Sequence, residues 1–413
     1  MAQLRPLSLV EASNNTRTVF VGIDFGTTFS GIAFAVSSPD GQVRSTNCKI
    51  YTSELYGHSG VKVPTKLPAY RYDKDERYKN TWLEWFKLSL LHRDDTPYDV
   101  LHLPKFVKTT ADRESLKLST VTVTADYLKK IWDPFYKDLL FMVSNPLVQV
   151  TVTVPAVWPM YARQKMLDAI HRAGILGPNV QLAPKFLSEP EATAIALLPD
   201  GFNVNNPGVS TLKKGDVAII CDCGGGTVDS IAFEVCSLRP FLVKEVIPGG
   251  CILSGGALLD DAFMDLLEAK ARAICPGPTF KALGRVSGIE EFACNHWEYD
   301  MKMYHSESAK EKSYPLPLSW AGSNIRRGRV GTTPKISFSS DELSSVFDPI
   351  INKITKLVAS QMEQVMATTN KVTSHVVVSG GFGRNLYLQK KVKQTVSEIS
   401  PSTIVYTYAD CKG

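Results

Sequence analysis

The stretch Ile219-Ile220-Cys221-Asp222-Cys223-Gly224-Gly225-Gly226-Thr227-Val228-Asp229 carries residue types suited to phosphate and metal chemistry. An apolar run from Val217 to Cys221 reads as a buried strand; it meets an acid, turns through three glycines and resumes as Ser230 to Val235. Adjacent glycines leave backbone N–H groups uncovered and free to take positive φ, so a phosphate can lie against the turn. Thr227 offers a hydroxyl donor. Asp222 and Asp229 fit a hydrated magnesium ion, which takes few carboxylates and keeps several waters. Taken alone, the stretch fits equally a glycine-rich hairpin with solvated acids.

The plan recurs near the N-terminus. Thr18 to Ile23 is an apolar strand ending in Asp24, followed by Phe25-Gly26-Thr27-Thr28-Phe29-Ser30 and the apolar segment Gly31 to Val36. Two copies in separate halves of the chain imply a duplicated architecture that faces one ligand from two sides. A third strand, His375 to Ser379, also runs into glycines, Gly380-Gly381-Phe382-Gly383-Arg384. No Walker-type loop and no G-x-G-x-x-G after a strand is present, and both glycine turns lead into strands rather than helices. Zinc motifs built on histidine and a G-x-S-x-G elbow are also missing. Phosphoryl transfer needs positioning and charge neutralisation more than covalent chemistry, and backbone amides, a lysine and a metal supply both.

The elements that must hold these turns alternate between strand and helix, which indicates an α/β fold. Val148 to Val154 alternates valine and threonine and is stopped by Pro155; Met160 to Ala173 is helical and ends at Gly174. Val180 to Leu187 reads as a strand, and Ser188-Glu189-Pro190-Glu191 opens an alanine-rich helix. Trp82, Trp85, Phe86, Leu88, Leu90 and Leu91 predict a helix that carries Lys87, and Thr122 to Val143 predicts another. Pro248-Gly249-Gly250 and Ser254-Gly255-Gly256 read as turns, Ala257 to Cys275 as an amphipathic helix, and Ser340 to Met366 as a long helix capped by Ser340. Asp200 to Gly215, rich in Asn, Pro and Gly, is the candidate linker between halves.

At 413 residues the chain exceeds one small core. With 44% hydrophobic and 21% charged residues it is not a disordered chain, and a net charge of +5 gives no argument for nucleic acid. Arg326-Arg327-Gly328-Arg329 reads as a solvated loop. No apolar run of about 18 residues and no signal-peptide core occurs, so a soluble, cytoplasmic protein without membrane contact is expected. The eight cysteines lack C-x-x-C spacing and read as reduced thiols.

Five ordered motifs then resemble the nucleotide-binding domain of the seventy-kilodalton heat-shock chaperone family, in its divergent, atypical branch. They are Ile23 to Ser30, Val152-Thr153-Val154-Pro155-Ala156, Ser188 to Ala194, Asp222 to Asp229, and Val378-Ser379-Gly380-Gly381, and the resemblance runs from about Thr18 to about Val396. It implies the actin-like ATPase fold, with two lobes, each a mixed β-sheet flanked by helices, and ATP or ADP with Mg²⁺ in the cleft. The expected organisation is a polar leader over 1–17, lobe I over 18–206 and lobe II over 207–413. By motif, Gly26, Thr27 and Thr28 form the first phosphate loop, and Gly224, Gly225, Gly226 and Thr227 the second, with Gly255 and Gly256 beside them. Asp24, Glu189, Asp222 and Asp229 surround the hydrated metal and attacking water, Asp24 and Asp222 holding the metal mainly through water. Lys87 matches the family's catalytic lysine. Gly380, Gly381 and Arg384 match the adenosine turn, and Lys302 and Ser306 the adenosine side.

The sequence departs from the family where Phe382 replaces a small polar residue and Tyr299 stands in place of an acid. The motif around Lys87 is poorly kept. The chain is expected to lack the domain's final helix and a peptide-binding domain, so client binding lies outside it, while co-chaperones or nucleotide-exchange factors are the expected partners. A chaperone-type ATPase of weak turnover is the leading expectation. A pseudo-ATPase interaction module, or less readily a small-metabolite kinase of the same fold, is the alternative.

Overall fold

The computed structural model describes residues 17–37, 48–51, 70–71, 82–198, 212–274, 287–307, 311–316 and 335–407. The leader before Arg17, most of the candidate linker, Cys275, the Arg326 to Arg329 cluster and the end of the chain after Thr407 lie outside the described residues. The chain divides into two compact units, Met1–Glu189 and Pro190–Gly413.

In the first unit, β1 (Thr18–Phe25), β2 (Ser30–Val36) and β3 (Cys48–Tyr51) form an antiparallel meander. β4 (Leu147–Val154) joins β1 in parallel, and β5 (Val180–Leu182) joins β4 in parallel. The expected strand Val180 to Leu187 is broken: Leu187–Ser188 pairs separately with the end of β4. The Val/Thr alternation of β4 appears as a strict alternation of half-buried and buried residues. Between β3 and β4, α1 (Thr120–Met142) starts at Ser119, whose side chain accepts the Thr122 N–H, and buries Leu128, Ile131, Trp132, Phe135 and Leu139. α2 (Met160–Arg172) links β4 to β5, and Gly174 beyond its end has φ +71°, the left-handed conformation glycine takes most readily. The helix expected around Lys87 is replaced by a short strand, Trp82–Leu83, and a 3₁₀ turn, Phe86–Leu90. Large apolar side chains here fill the core between α1, α2 and the sheet instead of lining one helix stripe.

α3 (Glu189–Leu197) follows. The second unit repeats the first. β6 (Val217–Cys223), β7 (Val228–Leu238) and β8 (Phe241–Ile252) form the meander; β9 (His375–Ser379) joins β6 in parallel and β10 (Ile404–Tyr406) joins β9. β6 is buried on both faces apart from Asp222, as its unbroken apolar run requires of a central strand. Pro248-Gly249-Gly250, expected as a turn, lies within β8, where Gly250 faces Ser230 beside a shift of register. α4 (Gly256–Ile274) follows β8. α5 (Ser340–Thr369) precedes β9, and α6 (Leu386–Ile399) connects β9 to β10. The cap of α5 is Ser339, one residue earlier than expected, because Ser339 and Glu342 close a reciprocal capping box. No described helix is long and apolar enough to cross a membrane.

Candidate functional site

In the first unit, β1 and β2 meet in the turn that carries Gly26, Thr27 and Thr28, with Asp24 opposite Gly31. A Cβ on Gly26 would lie 2.1 Å from the Phe29 carbonyl oxygen, so the turn admits only glycine there. Thr27 and Thr28 are buried, and Phe29 is exposed. The Thr153 hydroxyl on β4 donates to the Asp24 carboxylate at 3.3 Å. Loss of surrounding water, and then the negative charge of Glu189, push the Asp24 carboxyl up to about 6, against the opposing pull of Lys87 and Thr153. The Asp24 residue keeps accessible surface, so water tempers this desolvation.

Lys87 is 3% exposed, unlike the solvated lysine a helix face would present, and its Nζ lies 2.5 Å from Glu189 Oε1. The sequence neighbours of Lys87 did not announce this pairing, which spans 102 positions. Asp24, Lys87 and Glu189, three residues far apart in sequence, therefore interact at the C-terminal end of β1. Thr153 joins them and was missed as a site residue, because an outward threonine in a Val/Thr strand carries no local sign of its partner.

In the second unit, β6 and β7 place Asp222 directly opposite Asp229, and the Gly224 N–H donates to the Thr227 carbonyl at 3.0 Å to close the turn. Like charges directly opposite across strands destabilise a ladder, so this pair suits a cation at its end. Asp229 is buried and Asp222 half-buried. Among the described residues, no three or more His, Cys, Asp or Glu side chains converge as direct ligands. Gly255 and Gly256 back the turn: their N–H groups donate to the Gly226 and Gly224 carbonyls at 3.0 and 3.1 Å, and the Ala257 N–H donates to the Gly225 carbonyl at 2.8 Å. The first donors of α4 are thus satisfied by the turn itself.

The third glycine turn packs onto the second. Gly380 has φ +81°, and a Cβ there would lie 2.4 Å from the Cys223 carbonyl oxygen and 2.6 Å from Asp222 Oδ1. The Ser379 hydroxyl donates to Asp222 Oδ1 at 3.2 Å. Gly381 and Arg384 are exposed, whereas Phe382 is buried and would touch a Cβ on Gly256 at 3.3 Å. Its ring fills the space beneath the turn, which explains how a large residue is accommodated in place of a small polar one.

Lys302 ends a π-helical segment, Ala293–Met301, and its ammonium sits between Asp260 at 2.8 Å and Glu298 at 2.9 Å. Burial acts against its charge, but Asp260 and then Glu298 outweigh it and hold the amine above its usual range. The Trp297 indole N–H also donates to Asp260 at 2.7 Å. Tyr299 is exposed, and the Ser306 carbonyl accepts the Ser340 hydroxyl at 3.0 Å. Asp260 was missed because its partners come from a separate segment.

No family model matches the chain. Heat shock 70 kDa protein 12A of Mus musculus is 22% identical over 475 residues, covering 92% of this chain and 66% of that protein. The chaperone protein HscA homolog of Ralstonia nicotianae is 29% identical over 252 residues, covering 58% of this chain and 35% of its own length. The chain is similar to divergent members of the seventy-kilodalton heat-shock chaperones. Heat shock 70 kDa protein 12A of Homo sapiens matches similarly, at 22% over 467 residues, 91% of this chain and 65% of that protein. The chain therefore spans between 35% and 66% of the length of these heat-shock relatives. Its two mixed sheets, matched in strand order and flanked by helices, make the actin-like ATPase fold.

Proposed function

We propose that this chain is a chaperone-type nucleotide-binding domain that binds ATP or ADP with Mg²⁺ and hydrolyses ATP slowly, coupling nucleotide state to lobe closure and to a partner. The observation that carries the reading is the recurrence of one device, an acid at a strand end before a glycine turn, at the same position in two sheets of identical strand order.

The residues fit such a ligand. The Gly26 turn is too tight for any side chain at that position, which keeps the backbone open to a phosphate. Asp222 and Asp229 form an acid pair that a hydrated dication relieves. Bound magnesium supplies charge neutralisation at the phosphates. Asp24 and Asp222 would hold the ion, mainly through water, Thr227 would offer its hydroxyl near the terminal phosphate, and Lys87 would neutralise charge there. Glu189 holds the Lys87 amine, and with Asp229 it would orient the attacking water. On the adenosine side, Gly380, Gly381 and Arg384 offer an exposed ledge for the base. Co-chaperones or exchange factors are the corresponding partners, in the cytoplasm.

A second reading, a nucleotide-dependent interaction module with negligible hydrolysis, is favoured by Lys87: Glu189 already holds its ammonium at 2.5 Å, which weakens its pull on charge developing at a phosphate. Titration with ATP, with and without Mg²⁺, while following melting temperature and phosphate release separates the two. The ATPase reading predicts Mg²⁺-dependent release that Asp222→Asn or Thr227→Ala abolishes; release unchanged in both variants overturns it. Thermal stabilisation without release supports the interaction module.

A further inference from the structure

We propose that Trp158, together with Phe25, is a positioning residue for the Lys87 ammonium, the aromatic faces taking over part of the solvation that burial removes. The proposal rests on the ATPase reading only for its kinetic readout.

The geometry lies within the first unit. Lys87 Nζ is 5.7 Å from the centroid of the Phe25 ring and 5.8 Å from that of the Trp158 ring, both within the range where a cation is attracted to an aromatic face. Lys87 is 3% exposed, Trp158 4% and Phe25 0%. A buried ammonium without its hydration shell tends to lose its proton or leave the site. Glu189, at 2.5 Å, supplies one strong partner. Carboxylates, Glu189 in contact and Asp24 acting on the same charge, fix where the ammonium is drawn but do not fill the space along its flexible four-carbon chain. Two aromatic walls fill it.

The walls are themselves fixed. Phe25 follows Asp24 at the end of β1, so the strand that places the acid also places one wall. Trp158 lies in the turn after β4, where its N–H donates to the Pro155 carbonyl at 3.2 Å. Arg163 on α2 holds that turn from the other side: its Nε donates to the Trp158 carbonyl at 3.1 Å and its Nη2 to the Ala156 carbonyl at 3.2 Å. The backbone that carries the indole is thus held by contacts that do not involve Lys87, and the indole itself is buried, as preorganisation around a charge requires.

The test compares the chain with Trp158→Phe, Trp158→Leu and a version carrying tetrafluorotryptophan at position 158, which keeps the indole shape while withdrawing electron density from its face. The spectroscopic readout is the ring-current displacement of the Lys87 ε-methylene NMR signal, assigned with Lys87→Arg. The kinetic readout is phosphate release at saturating ATP with Mg²⁺. The expected result is a kcat lowered about tenfold in the leucine and fluorinated versions, with KM little changed. Trp158→Phe should restore most of that loss. The Lys87 signal should move toward its ordinary position in the leucine variant. If the fluorinated version matches the native chain in kcat and Trp158→Leu leaves the Lys87 signal in place, the proposal is overturned. Should the native chain release no phosphate, the functional reading fails separately, and the Lys87 signal alone decides the role of Trp158: displacement in the native chain that is lost in Trp158→Leu upholds it, and no displacement overturns it.

Discussion

Asp24 shows at the scale of one residue how a desolvated acid beside a second acid costs stability. Its carboxyl is raised from an ordinary 3.8 to about 6, so between those values the folded chain holds a proton that the unfolded chain has released. The resulting stabilisation is fully present below about pH 4 and is lost as pH rises through about 6. At neutral pH the charged Asp24 is therefore a liability in the ligand-free protein. Asp24→Asn should raise the melting temperature measured without nucleotide at pH 7.5, and the gain over the native chain should vanish as the pH falls to about 4. The same variant should weaken the stabilisation given by ATP with Mg²⁺. A melting temperature lower than native at pH 7.5 would contradict the role of desolvation and Glu189 in raising that carboxyl.

At the scale of elements, the glycine turns differ in what their glycines are for. Gly255 presses against the second glycine turn, where a Cβ would meet the Gly225 carbonyl carbon and oxygen at 2.3 Å. Neither group can move without breaking the bonds that join α4 to the turn. Gly381 has open space where its Cβ would stand and an ordinary right-handed backbone, φ −62°. Gly255→Ala should destabilise the chain by about 1–3 kcal/mol, the usual cost of overpacking, seen as a lower denaturation midpoint in urea. Gly381→Ala should leave the midpoint unchanged or slightly raised, since it only restricts the unfolded chain. Equal losses in both variants would mean that the turn at Gly255 yields more easily than its contacts imply.

Across the whole molecule, duplication is the organising fact. Each unit has a meander of three antiparallel strands, extended by two parallel strands through helices, and each puts an acid and a glycine turn at the end of its first strand. The copies are not equivalent: Asp222 faces Asp229, whereas Asp24 faces Gly31 and takes its polar partners from β4, Lys87 and Glu189. If both turns serve one nucleotide, adding ATP and Mg²⁺ should slow amide hydrogen exchange over 24–30 and 224–229 together, with the same ligand dependence. Protection confined to one of the two segments would show that they do not share a ligand.

Much of this was readable along the chain. Local chemistry determined the strands, the glycine turns with their acids, the repetition of one plan and the helix stops, because alternation, glycine and capping residues act over a few neighbouring positions. Lys87 was the ambiguous case: its neighbours are large and apolar, which suits a helix stripe and a packed 3₁₀ turn alike, and only the tertiary fold buries it against Glu189 and two aromatic rings. The same holds for the raised Asp24 carboxyl, the enclosed Lys302 ammonium and the burial of Phe382, since each depends on residues brought near by folding rather than by sequence. Residue types and their local spacing set which acids, glycines and hydroxyls stand at the strand ends. Tertiary structure decided their electrostatic environment, because desolvation and charge pairing act through space across segments that the chain order keeps apart.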